Sequence, residues 1–431
     1  MRKVSFETLG CRFNQFETAE MAYELSQAGF TAADEGERAD VVVINTCTVT
    51  GKSDARCRAA IRKARADNPG AKVVVAGCLS EMYPEKVAAE EGVNLVLGNV
   101  SKFELSSALK KLEGWKNGPL VITGGEQSGV LPVRPVTNLA GRTNAYIKIQ
   151  TGCGEVCSFC VVRISRGASV CAEPGAIVNQ VRAMAGAGVR EVVLTGINLG
   201  QYLFDGLSLP GLIRKILNKT DVERIRLSSV NPQHVSDELV GLIAGSARIC
   251  RHLHIPAQSG SAKVLTLMRR PYSPEFYEGL VNNLARNIPG IGIGADVMVG
   301  FPGETETEFT ETFDLLNRSP LMMLHVFTYS PRKGTDAFEM SGRPVKDELK
   351  RRAGLLKALS AEKRAQAGEK MAGQTLYVLV ENTRTARGQL KGFTDNYFPT
   401  VFDGPDSLMN TIAPVKILSA SATGLSGEFI G

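Results

Sequence analysis

The sequence predicts an α/β protein in three parts: a small doubly wound parallel-sheet domain, a partial (β/α)6 barrel and a small C-terminal β-barrel. Three observations predict it. Residues 1–115 alternate continuous apolar runs with helical stretches, and such runs belong to parallel strands covered on both faces. The same alternation resumes on a larger scale over 143–342. Beyond 371 only short strand-like runs separated by turn residues remain.

In the first part, VSFETL (4–9) precedes a helical stretch near 14–28, VVVIN (41–45) precedes another over 52–67, and VVVAG (73–77) a third. Residues 116–142 carry Gly and Pro signals with weak periodicity and read as a linker. Six runs then read as barrel strands: AYIKIQ (145–150), EVVLTG (191–196), RIRLSSV (224–230), RHLHIPA (251–257), IGADVMVG (293–300) and LMMLHVFTYS (321–330). Six are too few for a full eight-fold barrel, so the barrel is open. A basic helix is expected over 343–370, and the small barrel over 371–431 is built from TLYVLVE, GQLKGFTDNYFPTVF and TIAPVKILSASATGLSGEFI.

Composition narrows the function. At 431 residues, 43% apolar and 22% charged, the chain can bury more than one core. With no basic-then-apolar leader and no apolar run of about 18 residues, neither export nor membrane insertion is expected, and the protein reads as cytoplasmic. Its nine cysteines are then not disulfides, because the cytosol keeps thiols reduced, and metal binding or thiol chemistry leads.

The strongest motif is TGCGEVCSFC, which places Cys153, Cys157 and Cys160 in a C-x3-C-x2-C array directly after AYIKIQ. Three thiolates at this spacing can hold three irons of a four-iron cluster and leave one iron open to a small molecule. A four-thiolate zinc site completed by Cys171 is the competing reading. The motif resembles the radical S-adenosylmethionine superfamily. That resemblance implies that the amino and carboxylate groups of S-adenosylmethionine bind the open iron, and that electron transfer gives a 5'-deoxyadenosyl radical. It also puts Phe159 near the adenine.

Cys11, Cys47 and Cys78 each follow an apolar strand of the first part, in TLGC, VVVINTC and VVVAGC. In a parallel sheet such strand ends share one edge, so three thiols some thirty residues apart in sequence converge. Cys57 and Cys250 read as ordinary buried residues. The two triads together, with TLGCRFNQFET and NTCTVTGKSD, resemble the methylthiotransferase family over essentially the whole chain, most closely the branch acting on N6-threonylcarbamoyladenosine beside the tRNA anticodon. Other branches act on isopentenyl-modified tRNA adenosine or on a ribosomal protein aspartate.

The resemblance implies two [4Fe–4S] clusters, one on each triad, S-adenosyl-L-methionine, and a C-terminal TRAM barrel of OB-like form. It implies Thr195, Gly196, Asn198, Ser228, Ser229 and Gln258 near S-adenosylmethionine, with no catalytic residue beyond the cluster ligands. Its partners are the tRNA anticodon stem-loop and an electron donor such as flavodoxin or ferredoxin; the sulfur donor is not indicated, and no membrane is involved. The chain departs from the family after Cys160, where VVRISRGASVCAEP sets Arg163 and Cys171 in place of the usual Pro and Arg/Ser-rich stretch, and at Gly154, where an acid is common. Cys171 is expected near the triad.

His252 and His254 share a strand face and read as satisfied core groups rather than metal ligands. From 343 to 370 nine Lys/Arg face four Asp/Glu, whereas from 374 onward four face five. RNA contact is therefore expected on the basic segment, with Lys350, Arg351 and Arg352 as phosphate ligands. Phe393, Tyr397 and Phe398 can stack on bases or pack a core, and packing is the commoner fate. A zinc-stabilised RNA-binding protein without catalysis is the rival of another class.

Overall fold

The computed structural model describes residues 2–34, 36–48, 51–125, 129–134 and 143–431. Val49 and Thr50 of NTCTVTGKSD, and residues 126–128 and 135–142 of the expected linker, lie outside the described residues. The chain divides into two compact units, Met1–Val136 with Thr151–Glu155 and Cys160–Val170, and Thr137–Gln150 with Val156–Phe159 and Cys171–Gly431.

The first unit is a parallel sheet. Strands β1 (Lys3–Thr8), β2 (Thr31–Ala32), β3 (Val41–Thr46), β4 (Lys72–Gly77), β5 (Val93–Leu97) and β6 (Leu120–Ile122) lie in the order β2-β1-β3-β4-β5-β6. Helices α1 (Arg12–Gln27), α2 (Gly51–Asp67), α3 (Cys78–Met82) and α4 (Leu105–Glu113) connect them. Alternation along each strand sorts the apolar side chains. Val41, Val43, Val74, Leu95 and Leu97 pack on one face with Met21, Leu25 and Leu109 of α1 and α4. Val42, Ile44, Val73, Val75 and Val96 pack on the other with Ala60 and Ile61 of α2. Burial on both faces is why these strands read as unbroken apolar runs.

In the second unit, β7 (Asn144–Lys148), β8 (Glu191–Thr195) and β9 (Arg224–Leu227) form one parallel sheet, in the order β9-β8-β7. A second parallel sheet holds β10 (His252–His254), β11 (Gly292–Val299) and β12 (Met323–Thr328). The bridges Ile225–Ile249 and Ser229–His254 join the two sheets. The result is the open six-stranded barrel that the strand count predicts.

Strands β13 (Thr375–Arg384), β14 (Leu390–Thr394), β15 (Pro399–Asp403), β16 (Ile412–Ser421) and β17 (Gly424–Phe429) close a barrel in the order β13-β14-β15-β17-β16. Strands β15 and β17 run parallel while the other pairs run antiparallel, as in an OB barrel. Its core takes Phe398 and Phe402 among Val378, Val380 and Val415.

In the aromatic cluster of the β14–β15 turn Phe398 is buried, while Phe393 and Tyr397 are half-buried. Tyr397 stacks on Phe393 at 4.9 Å and lies against the His252 ring at 4.6 Å. Beside them Arg226 donates to both oxygens of Glu191, at 2.8 and 2.9 Å, and to the carbonyls of Thr394 and Asp395. Arg224 adds a bond to the Tyr377 carbonyl at 2.6 Å. The small barrel is thus fastened to β9 through buried guanidinium groups, and Phe393, Tyr397 and Phe398 serve packing.

Breaking a buried pair leaves its partner uncompensated. Glu191→Ala should therefore lower unfolding free energy by about 3–5 kcal/mol, read from urea denaturation of anaerobic protein.

Candidate metal centres and cofactor pocket

Cys11 sits at the start of α1, Cys47 directly follows β3, and Cys78 opens α3 after β4. Because β1, β3 and β4 are consecutive in the sheet, their carboxyl ends bring the three cysteines to one edge. The approach is close. Gly10, at φ +112°, lies so near Cys47 that a Cβ there would stand 2.5 Å from the Cys47 Cβ. Gly77, at φ +102°, leaves similarly little room beside Asn45 and Thr46.

Polar side chains frame these sulfurs. Asn14 donates to the carbonyls of Leu9 and Thr46, both at 2.9 Å, tying the ends of β1 and β3 together. Its Oδ1 lies 3.9 Å from the Cys11 sulfur. Asn99 donates to the Cys78 sulfur at 3.6 Å and to the Ser165 carbonyl at 2.6 Å. The protein around Cys11 pushes its thiol up; Arg166 opposes that, and Cys78 adds to it.

The loop after Cys160 contributes to this frame through α5 (Val162–Arg166). Arg166 grips Glu17 with two bonds, at 2.8 and 3.0 Å, and also donates to Asn14 at 3.1 Å. Lys102 donates to the same Glu17 at 2.6 Å and to Asn99 at 2.9 Å. Sequence reasoning missed Glu17, Lys102 and Arg166, because charged residues normally read as surface. Here their exposures are 2%, 0% and 7%.

All nine cysteines are free thiols. In the C-x3-C-x2-C loop the Cys153 sulfur accepts from the Glu155 amide at 3.4 Å, and the Cys160 sulfur accepts from the Val162 amide at 3.5 Å. Arg270 donates to the Cys157 sulfur at 3.2 Å and is steadied by the Tyr272 hydroxyl at 3.0 Å. Such donors on sulfur stabilise thiolates and tune a cluster they hold. The donor set therefore fits an iron–sulfur cluster. Arg270 is a fourth residue the sequence did not single out.

Cys171 is buried, with its sulfur 3.7 Å from the Gln201 carbonyl and accepting from the Leu203 amide at 3.4 Å. These bonds give it a place in the barrel wall. Burial pushes the Cys57 thiol up to about 12 and raises that of Cys250 further, in keeping with inert core residues.

The residues expected near S-adenosylmethionine lie at the carboxyl ends of β8, β9 and β10. Thr195 ends β8, and the Gln150 side-chain carbonyl accepts from the amides of Ile197 and Asn198, fixing the turn at Gly196. Ser229 bridges to His254. Gln258, at φ +62°, exchanges backbone bonds with Asp296 and Met298. Both amide atoms of Asn198, the Ser228 hydroxyl and the Gln258 carbonyl are buried without a hydrogen-bond partner among the described residues. Orphaned buried polar atoms are costly, and their grouping at strand ends fits a polar ligand. Phe159 packs edge-on against Phe301 at 6.2 Å.

On the neighbouring strands, Asp296 receives His254 at 3.1 Å and His325 at 3.5 Å. Burial works against its charge, but the two imidazoles hold its carboxyl well below the usual range. His254 therefore has the satisfying partner expected of it, supplied by a residue remote in sequence.

Two family models match the chain: uncharacterized protein family UPF0004 over residues 3–98, and the radical SAM superfamily over 147–316. The chain is 34% identical to the threonylcarbamoyladenosine tRNA methylthiotransferase MtaB of Bacillus subtilis, over 100% of this chain and 97% of that protein. It is 39% identical to the enzyme of that name from Aquifex aeolicus, over 88% and 92%. The tRNA-2-methylthio-N(6)-dimethylallyladenosine synthase of Moorella thermoacetica is 33% identical, over 98% and 97%. Among solved structures, the radical S-adenosylmethionine methyltransferase TsrM of Kitasatospora setae superposes with a TM-score of 0.57 at 16% identity, covering 78% of this chain and 77% of that one.

An open barrel with a three-cysteine loop after its first strand, matched by that superfamily model, defines a radical S-adenosylmethionine protein. Full-length identity narrows this further: the chain belongs to the methylthiotransferase family and is an enzyme.

Cys171→Ala should leave iron content and activity unchanged and cost about 1 kcal/mol of stability. Gly10→Ala should cost about 1–3 kcal/mol of stability, measured by denaturation.

Proposed function

We propose that the protein adds a methylthio group to C2 of N6-threonylcarbamoyladenosine in the tRNA anticodon stem-loop, using two [4Fe–4S] clusters and S-adenosyl-L-methionine. The observation that carries the two-cluster reading is the arrival of Cys11, Cys47 and Cys78 on three consecutive strand ends, in a chain that also has a contiguous triad. The substrate reading rests on full-length identity to two enzymes named for threonylcarbamoyladenosine.

Cys153, Cys157 and Cys160 would hold the cluster that binds S-adenosylmethionine, and Cys11, Cys47 and Cys78 the one that delivers sulfur. Bound there, these groups supply the radical and the methylated sulfur that replacement of an aromatic C–H bond demands, chemistry no ionisable side chain can provide. The side chains keep the tasks of holding and orienting. Asn198, Ser228 and Gln258, whose polar atoms have no partner among the described residues, would bond the ligand, Thr195, Gly196 and Ser229 would line its approach, and Phe159 would give an apolar wall. Arg270 donates to the Cys157 sulfur and would hold it in place.

The expected phosphate contacts change. Arg351 is paired with Glu306 and Glu348, and Arg352, nearly buried, with Glu304 and Glu348. Lys363 caps the helix Glu306–Arg318 through the carbonyls of Asn317 and Ser319. Arg351 and Arg352 fasten the helix Lys346–Glu369, so RNA contact would fall to its exposed Lys346, Lys350, Lys357 and neighbouring Lys370. No helix among the described residues is long and apolar enough to cross a membrane. A cytoplasmic enzyme served by flavodoxin or ferredoxin is in keeping with this reading.

Anaerobically purified protein should carry about eight irons with sulfide, and each triple-alanine triad variant about half. Zinc in a colourless protein would instead support the RNA-binding module. Nucleoside mass spectrometry of tRNA treated with the enzyme should show the 2-methylthio derivative of N6-threonylcarbamoyladenosine; the isopentenyl product, or an adduct on protein, would redirect the substrate assignment. Reversing Lys346, Lys357 and Lys370 should lower the salt slope of tRNA binding by roughly one unit per lost contact, whereas reversing Arg352 should cost stability.

A further inference from the structure

We infer that Arg166, supported by Lys102, is the built-in counter-charge of the cluster on Cys11, Cys47 and Cys78, setting its reduction potential and its hold on iron. The inference rests on the two-cluster reading and adds a residue from the divergent loop after Cys160.

Two cations, Arg166 and Lys102, converge on the carboxylate of Glu17, and all three are buried, with the Glu20 carboxylate buried one turn further along α1. Cations held this deep depend on the anions close around them, because burying a charge without a partner costs several kcal/mol. The other groups that favour the charged form of Arg166 are the sulfurs of Cys78 and Cys11. Hydrogen bonds place it among those sulfurs. Arg166 donates to Asn14, whose Oδ1 lies beside Cys11, and Lys102 donates to Asn99, which contacts Cys78.

A cluster held by three thiolates is net negative, and more so once reduced, so it would set an anion beside these buried cations. A buried positive charge beside it favours the reduced form and opposes loss of the iron core. Arg166 suits this task because its guanidinium cannot be deprotonated and its planar fork is held by Glu17 and Asn14 at once. Its underside rests on the Phe13 ring at 4.5 Å, which holds it without adding a competing full charge. Arg166 is therefore a positioning residue and touches no substrate.

The test isolates the N-terminal cluster in the full chain carrying Cys153→Ala, Cys157→Ala and Cys160→Ala, with Arg166 intact as the parent. Iron content, the rate of iron transfer to a chelator and the midpoint potential from dye-mediated electron paramagnetic resonance titration are measured under anaerobic conditions. Arg166→Gln should lower the midpoint potential and speed iron loss at least several-fold, while Arg166→Lys, which keeps the charge and gives up the fork, should keep the potential near the parent though it loses iron faster. Glu17→Gln makes the surroundings more positive and should raise the potential. A purely structural role would send both charge-changing variants the same way, so opposite signs support the inference. Parent and variants with full iron and equal potentials overturn it. A parent without iron overturns the two-cluster reading and this inference with it. If Arg166→Gln fails to fold, the Glu17→Gln and Arg166→Lys potentials decide: a raised potential in the first and a parental one in the second support the inference, and any other pair overturns it.

Discussion

Parallel pairing constrains this protein more than any single contact. When β1, β3 and β4 run side by side in one direction, their carboxyl ends must emerge at one edge, whatever lies between them in sequence. A cysteine placed just past each end joins the other two without any local motif. The same rule acts in the open barrel, where the ends of β8, β9 and β10 gather polar atoms that the protein leaves without partners. Each site is thus a property of sheet direction first and of side-chain identity second.

Around these edges the protein spends buried charge in two different ways. At Arg226, two guanidinium bonds to Glu191 and two to backbone carbonyls close the account locally, and the result is a joint between the barrel wall and the β14–β15 turn. At Glu17 two buried cations, Arg166 and Lys102, meet one carboxylate in the frame of the strand-end cysteines. Equal degrees of burial therefore serve different ends. What each buried charge is paired with, rather than its exposure, separates the two arrays.

The loop after Cys160 is tied into its surroundings by buried polar contacts. Its Arg166 joins the frame around Asn14 and Glu17, and its Cys171 sulfur is taken up by backbone groups at Gln201 and Leu203. Likewise the basic segment that looks like a phosphate stripe is in part a fastening, since Arg352 and Lys363 are turned inward. Sequence charge records how many cations a helix carries. Only packing against the Glu304–Glu308 region and the end of the helix Glu306–Arg318 assigns them to solvent or to protein.

Much of the fold was legible because its signals are local. Unbroken valine runs read as strands covered on both faces, six such runs as an open barrel, and the C-x3-C-x2-C spacing as a metal-binding loop, since ligands a few residues apart need only one turn of backbone. The strand-end cysteines were legible for the topological reason already given. Arg166, Lys102, Glu17 and Arg270 were not, because each acquires its role from a partner tens of residues or more away, and burial reverses the usual meaning of a charged side chain. Sequence by itself thus determined the sheets and the sulfur ligands offered. Tertiary structure alone decided which charges surround them, because electrostatic partnership depends on distance in space and on the exclusion of water.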